Sequence, residues 1–219
     1  MQYQASTNTW RFADEQYTLI SDNENQLASE NYSSWIDAFG HGTSGWYGGK
    51  RYYHPYDRVA EQSYGPRTWH LLGIYAYSDW GHYNAISNGG NQRGQWRTLT
   101  KEEWIYLINS RTTPSGVRYA NAMVDNVPGR IILPDDWVSN SNNALIKPNT
   151  TVCYPYENTI TLEQWTNYFE SSGAVFLAGT DVRIASGSVS LGYYKPGPGG
   201  VPTAPSYIPM RVRLVYTMN

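Results

Sequence analysis

The amino-acid sequence predicts a loop-rich α+β fold, with two short capped helices packed on small mixed or antiparallel sheets. Three observations support this class. The phrase Thr-x-x-Glu/Gln-Trp occurs twice, at 100–104 and 161–165, and is typical of a helix start. Apolar side chains alternate with a period of two at both ends of the chain, as in strands. The 20 Gly and 12 Pro indicate many turns. We expect one domain over residues 1–219, cut from a longer secreted protein.

The composition limits the class of protein. With 219 residues, of which 40% are hydrophobic, the chain can bury one sizeable core. A net charge of −2 argues against a nucleic-acid partner, because such proteins carry a basic surface. Cys153 is the only cysteine, which excludes an intrachain disulfide and a multi-cysteine zinc site. No apolar run approaches the ~18 residues of a transmembrane helix, so this fragment is predicted not to span a membrane.

The first eighty residues contain few strong periodicities. Residues 2–13, QYQASTNTWRFA, alternate roughly by two and predict a strand or a hairpin edge. Residues 21–34 are polar and predict a loop or a short capped helix. Residues 40–79 combine Gly with aromatic residues and show no helical period. They predict long structured loops with room for one short strand.

The first motif, WRTLTKEEWIY at 96–106, predicts a helix start in detail. Thr100 is the expected N-cap, and Glu103 is the partner that closes the capping box. Leu99 before the cap and Trp104 after it form a hydrophobic staple. The helix is expected to end near Ser110.

The second motif, NTITLEQWTNYF at 158–169, repeats the same arrangement. Thr161 is the expected N-cap, Gln164 closes the box, and Ile160 packs against Trp165 as the staple. In both copies the Trp fastens a helix start to the core. We therefore interpret Trp104 and Trp165 as core residues and exclude them from the candidate binding residues.

Strands are expected after both motifs and at the C-terminus. The apolar segments GRIILP at 129–134 and GAVFLA at 173–178 each predict a short strand. Residues 180–207 are rich in Gly, Ser and Pro and predict an exposed loop. Residues 207–217 return to alternation and predict a strand that closes the core sheet, with one face formed by Met210, Val212 and Leu214.

The residues that could carry catalysis form no strong pattern. The pair Asp135–Asp136 could bind a cation or act as acid and base. Such a pair more often opens a turn by accepting hydrogen bonds from nearby backbone N–H groups, and Asp79 has the same interpretation. The four histidines share no metal-ligand spacing, so a zinc site is not supported: His41, His54, His70 and His82.

A set of segments follows in a characteristic order: SDWG, NAISNGG, QWRTLTKEEWIYLINSR, GRIILPDDW, TLEQW, SSGAVFLAG and the terminal MRVRLV. Together they resemble the major paralogous domain of many Bacteroidetes and Fibrobacter surface proteins, and so does the opening, residues 2–17. The resemblance covers most of the chain, except for about 45–75 and 180–207.

That family is more distantly similar to the formylglycine-generating-enzyme branch of the C-type-lectin fold. The resemblance therefore implies a C-type-lectin-like fold. It implies no oxidase activity, because the enzymes use a pair of active-site cysteines and Cys153 stands alone. Related hypervariable ligand-binding proteins display Tyr, Trp, Asn and Ser near their C-terminal strands. Residues 192–194, GYY, match the start of the family's GYYWSS-like stretch, but KPGPGG follows here in place of the usual aromatic strand.

The first functional hypothesis is a non-catalytic, surface-exposed binding module for a glycan or protein ligand. Aromatic rings on loops would stack on sugar faces or fill protein hot spots. The predicted ligand-binding residues are rings in the loops that neither a cap nor a strand explains: Trp46, Tyr47, Tyr52, Tyr53, Tyr56, Tyr193, Tyr194 and Tyr207.

Two other classes stay open. The chain could be a structural or assembly domain of a cell-envelope protein, with its rings buried against neighbouring domains. An enzyme related to the formylglycine-generating enzymes is the least favoured class. No cofactor is expected, although a structural calcium ion is a further alternative, since lectin-like folds with long loops often hold one. The expected location is extracellular or at the cell surface.

Overall fold

A computed structural model describes residues 1–39, 43–47, 50–51, 54–56, 79–99, 101–150, 156–179, 183–184, 191–192, 210–211 and 214–216. The chain forms two units. Unit 1 comprises Met1–Asp14, Ile20–Lys101 and Arg183–Asn219, and unit 2 comprises Glu15–Leu19 and Glu102–Val182. Short helices and small sheets confirm the α+β class. The expected single domain over residues 1–219 stays a prediction.

All elements of the described ranges are short. The strands are β1 Gln2–Gln4, β2 Thr9–Arg11, β3 Trp35–Ile36, β4 Trp46–Tyr47, β5 Lys50–Arg51, β6 Trp96–Arg97, β7 Tyr119–Val124, β8 Val127–Ile132, β9 Asn158–Ile160, β10 Val175–Ala178, β11 Arg183–Ile184, β12 Leu191–Gly192, β13 Met210–Arg211 and β14 Val215–Tyr216. The helices are α1 Asp22–Gln26, α2 Lys101–Ile105 and α3 Leu162–Gln164. A π-helical turn continues each of the last two, at Tyr106–Ser110 and Trp165–Phe169, and a 3-10 turn, Glu170–Ser172, follows the second.

Unit 1 begins with the predicted hairpin. Strands β1 and β2 pair antiparallel, and β3 joins the other edge of β1, so the order is β2-β1-β3. Tyr3 lies between Trp10 and Ile36 in this register, and all three side chains are buried. The alternation of residues 2–13 therefore has its expected cause, which is one face of a small sheet packed on a core.

The polar segment 21–34 contains the short capped helix α1. The hydroxyl of Ser21 accepts the backbone N–H of Glu24 and caps the helix. The buried amide of Asn25 accepts the backbone N–H groups of Asp37 and Ala38, and it donates to the Asp37 carboxylate at 2.9 Å. Asn25 thus fastens α1 to the residues that follow β3.

The core of unit 1 is strongly aromatic. Its buried cluster consists of Met1, Tyr3, Trp10, Ile36, Phe39, Trp80 and Ile86. The Trp10 ring lies 4.6 Å from the Tyr3 ring and 5.1 Å from the Phe39 ring, with tilted planes in both contacts. Half-buried side chains, among them Phe12, Tyr56 and Trp96, pack on the outside of this cluster.

The C-terminal residues pair in two places where the sequence predicts one strand. Strand β13 pairs with β12 in a sheet of order β11-β12-β13, and β14 pairs antiparallel with β6. Alternation along 207–217 correctly indicates extended backbone, but it carries no information on which strand lies alongside. Leu214 packs against the core cluster of unit 1, as its position on the apolar face suggests.

Unit 2 is built on a four-stranded sheet of order β10-β8-β7-β9. The two predicted apolar strands become β8 and β10, and they pair antiparallel with each other. Strand β7 pairs antiparallel with β8 and parallel with β9. A Cβ on Gly129 would lie 2.5 Å from both the Leu177 carbonyl oxygen and the Phe176 ring, so only glycine allows these strands to approach.

Strands β7 and β9 are absent from the sequence prediction. Residues Asp125 and Asn126 join β7 to β8, and both have positive φ, 48° and 62°. Two consecutive left-handed residues form the turn that best matches the twist of a two-residue hairpin, and Asp and Asn tolerate that conformation. The sequence Asp125-Asn126 is therefore compatible with a two-residue hairpin turn, although it lacks the usual glycine.

The second Thr-x-x-Gln-Trp motif has the predicted geometry. The Thr161 hydroxyl accepts the N–H of Gln164 at 3.2 Å, and the Gln164 side chain accepts the N–H of Thr161 at 3.0 Å. In the first motif, α2 begins at Lys101, one residue after the expected cap. Thr100 itself lies outside the described residues, so its capping bond stays a prediction. Trp104 and Trp165 are both buried, as expected.

The core of unit 2 lies on its sheet, and its buried side chains are Ala122, Val124, Ile131, Leu133, Trp137, Ile160, Trp165, Phe169, Ala174 and Phe176. The Phe169 ring lies nearly parallel to two indoles, with its centroid 5.4 Å from that of Trp137 and 6.1 Å from that of Trp165. Burying rings of this size accounts for much of the hydrophobic stabilisation of so small a unit.

Strand β10 is an edge of this sheet, and a side chain covers part of that edge. The Gln16 side-chain oxygen accepts the N–H of Phe176 at 2.8 Å, and its amide nitrogen donates to Glu170 at 3.1 Å. Tyr17 packs against the unit 2 core beside it. An edge strand offers free backbone groups to other chains, so this contact protects the sheet against unwanted pairing.

We expect the substitution Gln16→Ala to lower the free energy of unfolding of unit 2 by about 1 kcal/mol, because two hydrogen bonds are lost at a half-exposed edge. Urea unfolding measures the loss, and hydrogen exchange locates it at the Phe176 amide. The exposed Gln26 is the matched control, and Gln26→Ala should change the stability by less than about 0.5 kcal/mol. Unchanged exchange at Phe176 in the Gln16→Ala variant would contradict the assignment.

Candidate ligand-binding surface

The eight residues predicted to bind ligand fall into three groups. Five lie outside the described residues: Tyr52, Tyr53, Tyr193, Tyr194 and Tyr207. Trp46 and Tyr47 form β4, whose backbone pairs with β5, with Trp46 opposite Arg51 and Tyr47 opposite Lys50. Tyr56 is described with its side chain. All eight remain predicted binding residues.

Tyr56 is half-buried and packs against the core cluster of unit 1. The ring of the exposed His54 lies parallel to it, with 5.0 Å between the ring centroids and 2° between the planes. One face of the phenol ring is thus covered by an imidazole, and part of its surface supports the core. Tyr56 is consequently a less open ring than the sequence suggests.

A second set of rings in unit 1 reaches the surface, and we call Phe12, Trp96 and Tyr216 the aromatic row. The pairing of β6 with β14 places Trp96 directly opposite Tyr216. Their rings meet edge to face at 5.4 Å and 82°, and the Phe12 ring meets Trp96 at 4.7 Å and 74°. Exposure rises along the row, from half-buried Phe12 and Trp96 to Tyr216, which is 53% exposed.

The turn at residues 86–91 fixes the row in place. The Trp96 indole N–H donates to the Gly89 carbonyl at 2.7 Å. A Cβ on Gly89 would lie 2.7 Å from the Phe12 ring and 2.8 Å from the indole nitrogen, so glycine is required between them. The Asn88 side chain accepts the N–H of Phe12 at 2.7 Å and donates to its carbonyl at 3.1 Å, as a neighbouring strand would. Hydrogen bonds to the turn of residues 86–91 therefore fix the positions of Phe12 and Trp96.

A buried carboxylate holds the strand that carries Trp96. One oxygen of Asp79 accepts the backbone N–H of Gly81 at 2.8 Å. The other accepts the backbone N–H of Thr98 at 2.9 Å and also the Thr98 hydroxyl. The predicted turn-forming role of Asp79 is thereby confirmed, and it extends to the end of β6. A Cβ on Gly81 would lie 2.0 Å from the Trp96 carbonyl oxygen, so the turn and the strand are in direct backbone contact.

Asp135, the first residue of the acidic pair Asp135–Asp136, belongs to a hydrogen-bond network in unit 2. The buried Arg111 guanidinium donates to Asp135 at 2.8 Å, and the exposed Tyr106 hydroxyl donates to the other carboxylate oxygen at 2.8 Å. Arg111 also donates to the Leu107 and Arg118 carbonyls. These hydrogen bonds, first that of Arg111, hold the pKa of Asp135 below its ordinary value, and the bond to Asp135 raises the pKa of Tyr106.

This network ties the π-helical turn after α2 to the end of β8. Its carboxylate stays ionised at neutral pH, which makes Asp135 unsuited to donate a proton. Asp136 is exposed and lies in the turn that follows. The pair does lie in a turn, in which the Trp137 N–H donates to the Pro134 carbonyl at 3.2 Å. The donors to the Asp135 carboxylate are, however, the side chains of Arg111 and Tyr106 rather than the nearby backbone N–H groups that the turn-forming alternative expects.

Across the described ranges, no three His, Cys, Asp or Glu side chains are grouped so as to hold a metal ion. The expectation of a possible structural calcium ion therefore stays a prediction. None of the helices in the described ranges has the length and apolar character needed to span a bilayer.

The chain matches no protein-family model, no curated protein and no solved structure.

Phe12, Trp96 and Tyr216 are not among the eight residues predicted from the sequence to bind ligand. Trp96 lies inside the first helix-start phrase, and Tyr216 lies inside the predicted closing strand. Their exposure on one face depends on the pairing of β6 with β14, two segments more than a hundred residues apart in the chain. In the sequence, only the aromatic character of Trp96 and Tyr216 and their position near strand-like alternation could have indicated a shared surface.

We expect Asp79→Asn to lower the free energy of unfolding by about 2–3 kcal/mol, because the amide places an N–H group against a backbone donor in a buried site. Hydrogen exchange should then become faster at Gly81 and Thr98. The exposed Asp14 provides a control, since Asp14→Asn should cost less than about 0.5 kcal/mol. Equal losses for the two variants would show that Asp79 does not hold β6.

We expect Asp135→Asn to lower the free energy of unfolding at pH 7 by about 1 kcal/mol, a modest value because 56% of the Asp135 side chain is exposed. The folded pKa is below the unfolded one, so this stabilisation is present above about pH 4 and lost as the pH falls through the folded pKa. Urea unfolding across this range should show wild type and variant converging in acid. Asp136→Asn is the adjacent control, and a gap independent of pH would refute the ionic role of Asp135.

Proposed function

We propose that this chain is a non-catalytic binding module with a C-type-lectin-like fold, which recognises a glycan or protein ligand through aromatic side chains. The observation that carries the proposal is the aromatic row. It leads from the core of unit 1 to a tyrosine that is 53% exposed, and hydrogen bonds between side chains and backbone hold Phe12 and Trp96 to the turn of residues 86–91. Binding surfaces favour Tyr and Trp in rigid settings, since such rings supply contact area at little entropic cost.

Two further arguments support a binding role. The sequence resembles a family of bacterial surface proteins, which favours an extracellular or cell-surface location. The short helices and small sheets of the described ranges are compatible with a lectin-like scaffold. The acidic pair does not favour catalysis, because Asp135 is engaged by Arg111 and Tyr106.

Binding of the full chain to a glycan array and to a panel of purified extracellular proteins tests this proposal. We expect saturable binding to at least one ligand class at micromolar protein concentration. Two single variants locate the site. A loss in Trp46→Ala would place it at the predicted loop, and a loss in Tyr216→Ala would place it at the aromatic row. Absence of binding to every ligand, or binding that neither variant weakens, would contradict recognition through these rings.

A further inference from the structure

The rings of Trp96 and Tyr216 form a corner at which Tyr216 is 53% exposed. The two rings stand at 82° to each other with their centroids 5.4 Å apart. A flat ligand that lies on the face of one of two nearly perpendicular rings can place its edge against the other. The indole N–H already donates to Gly89, so Trp96 offers its ring surface rather than a polar group.

Two exposed amide side chains lie in the turn of residues 86–91, whose Gly89 carbonyl accepts the Trp96 indole N–H. Asn88 is exposed and makes two hydrogen bonds to the backbone of Phe12, one as donor and one as acceptor. An amide has two donor hydrogens and two acceptor lone pairs, so Asn88 retains one of each. Asn91, in the same turn, is also exposed. Such groups suit hydroxyls, which both donate and accept.

We propose that the Trp96–Tyr216 corner binds an uncharged pyranose ring, without a metal ion, with the C–H face of the sugar on an aromatic face. This proposal rests on the proposed function and names its ligand class. The C–H groups of a sugar carry small positive charges, and aromatic faces are negative. Neutral amides beside the rings can then bond the hydroxyls at the sugar edge. The contact requires no ionised group.

A quaternary ammonium ion is the strongest rival small ligand, because perpendicular Trp and Tyr rings also form aromatic cages. Such a cation gains substantially only where the rings enclose it and water is removed. The Tyr216 ring is 53% exposed, so the corner is open on one side. An open corner favours a sugar, whose remaining hydroxyls stay in water.

A protein surface fits the corner less well. A stable protein interface covers about 800 Å² on each partner, while a whole tyrosine or tryptophan side chain buries about 150–250 Å². Among the residues that the structure describes, the corner itself consists of one half-exposed tyrosine and one half-buried tryptophan, whose area is nearer to that of one sugar ring. The structure therefore favours a small ligand at this place.

The test is an NMR titration of the full chain with neutral methyl pyranosides and their oligomers, with and without EDTA. Tetramethylammonium and a sialic acid serve as charged probes. We expect neutral sugars to shift the signals of Trp96 and Tyr216, with no effect of EDTA. Tyr216→Ala should weaken the affinity at least fivefold, while Tyr216→Phe should stay within about twofold because the ring remains. Tyr168→Ala, at a 39% exposed tyrosine of unit 2, should leave the affinity unchanged.

Three outcomes would overturn the inference while leaving the proposed function intact. Shifts at the corner from tetramethylammonium or sialic acid alone would assign a charged ligand, and loss of sugar binding in EDTA would assign a metal-dependent site. Sugar binding that Tyr216→Ala does not weaken would place the sugar elsewhere. Absence of binding to sugars, charged probes and the protein panel would refute the proposed function itself.

Discussion

The arrangement of unit 1 depends on the contact between the turn at residues 79–81 and the strand β6. The Asp79 carboxylate is buried, and it accepts hydrogen bonds from Gly81 and from both the backbone and the hydroxyl of Thr98. A buried carboxylate without these donors would be strongly unfavourable, so the turn and the strand require each other. Gly81 lies against the Trp96 carbonyl, where no side chain fits. The position of the Trp96 ring, and with it the aromatic row, follows from this backbone contact.

Unit 2 uses its polar side chains in a comparable way. Arg111 is buried and donates to two backbone carbonyls and to Asp135, which joins the turn after α2 to the end of β8. At the edge of the sheet, the Gln16 side-chain oxygen accepts the backbone N–H of Phe176, as the carbonyl of a neighbouring strand would. In both cases a side chain completes hydrogen bonding that the short elements leave open. Short helices and two- to six-residue strands satisfy few of their own backbone groups, and such bonds are therefore a structural necessity.

Parts of the fold could be predicted because their causes are local. The Thr161 capping box involves residues three apart, and the first hairpin joins β1 to β2 across a short turn. Burial of Trp104 and Trp165 followed from their positions after a cap. The parallel pairing of β7 with β9 could not be predicted in this way, because it joins segments that are distant in the chain. For the site, Tyr56 stays a predicted binding residue, and neither its His54 partner nor its packing on the core was visible from spacing.

The sequence by itself determined the α+β class, the helix starts, the turn-forming role of Asp79 and the aromatic character of the chain. These properties depend on residue type and on neighbours within a few positions, where capping and alternation act. The tertiary structure alone decided which rings share a surface. Trp96 and Tyr216 become neighbours only when β6 pairs with β14, and a register shift of one residue would place the two rings on opposite faces of the strand pair. Long-range pairing therefore creates the candidate site, since no local rule brings these two rings together.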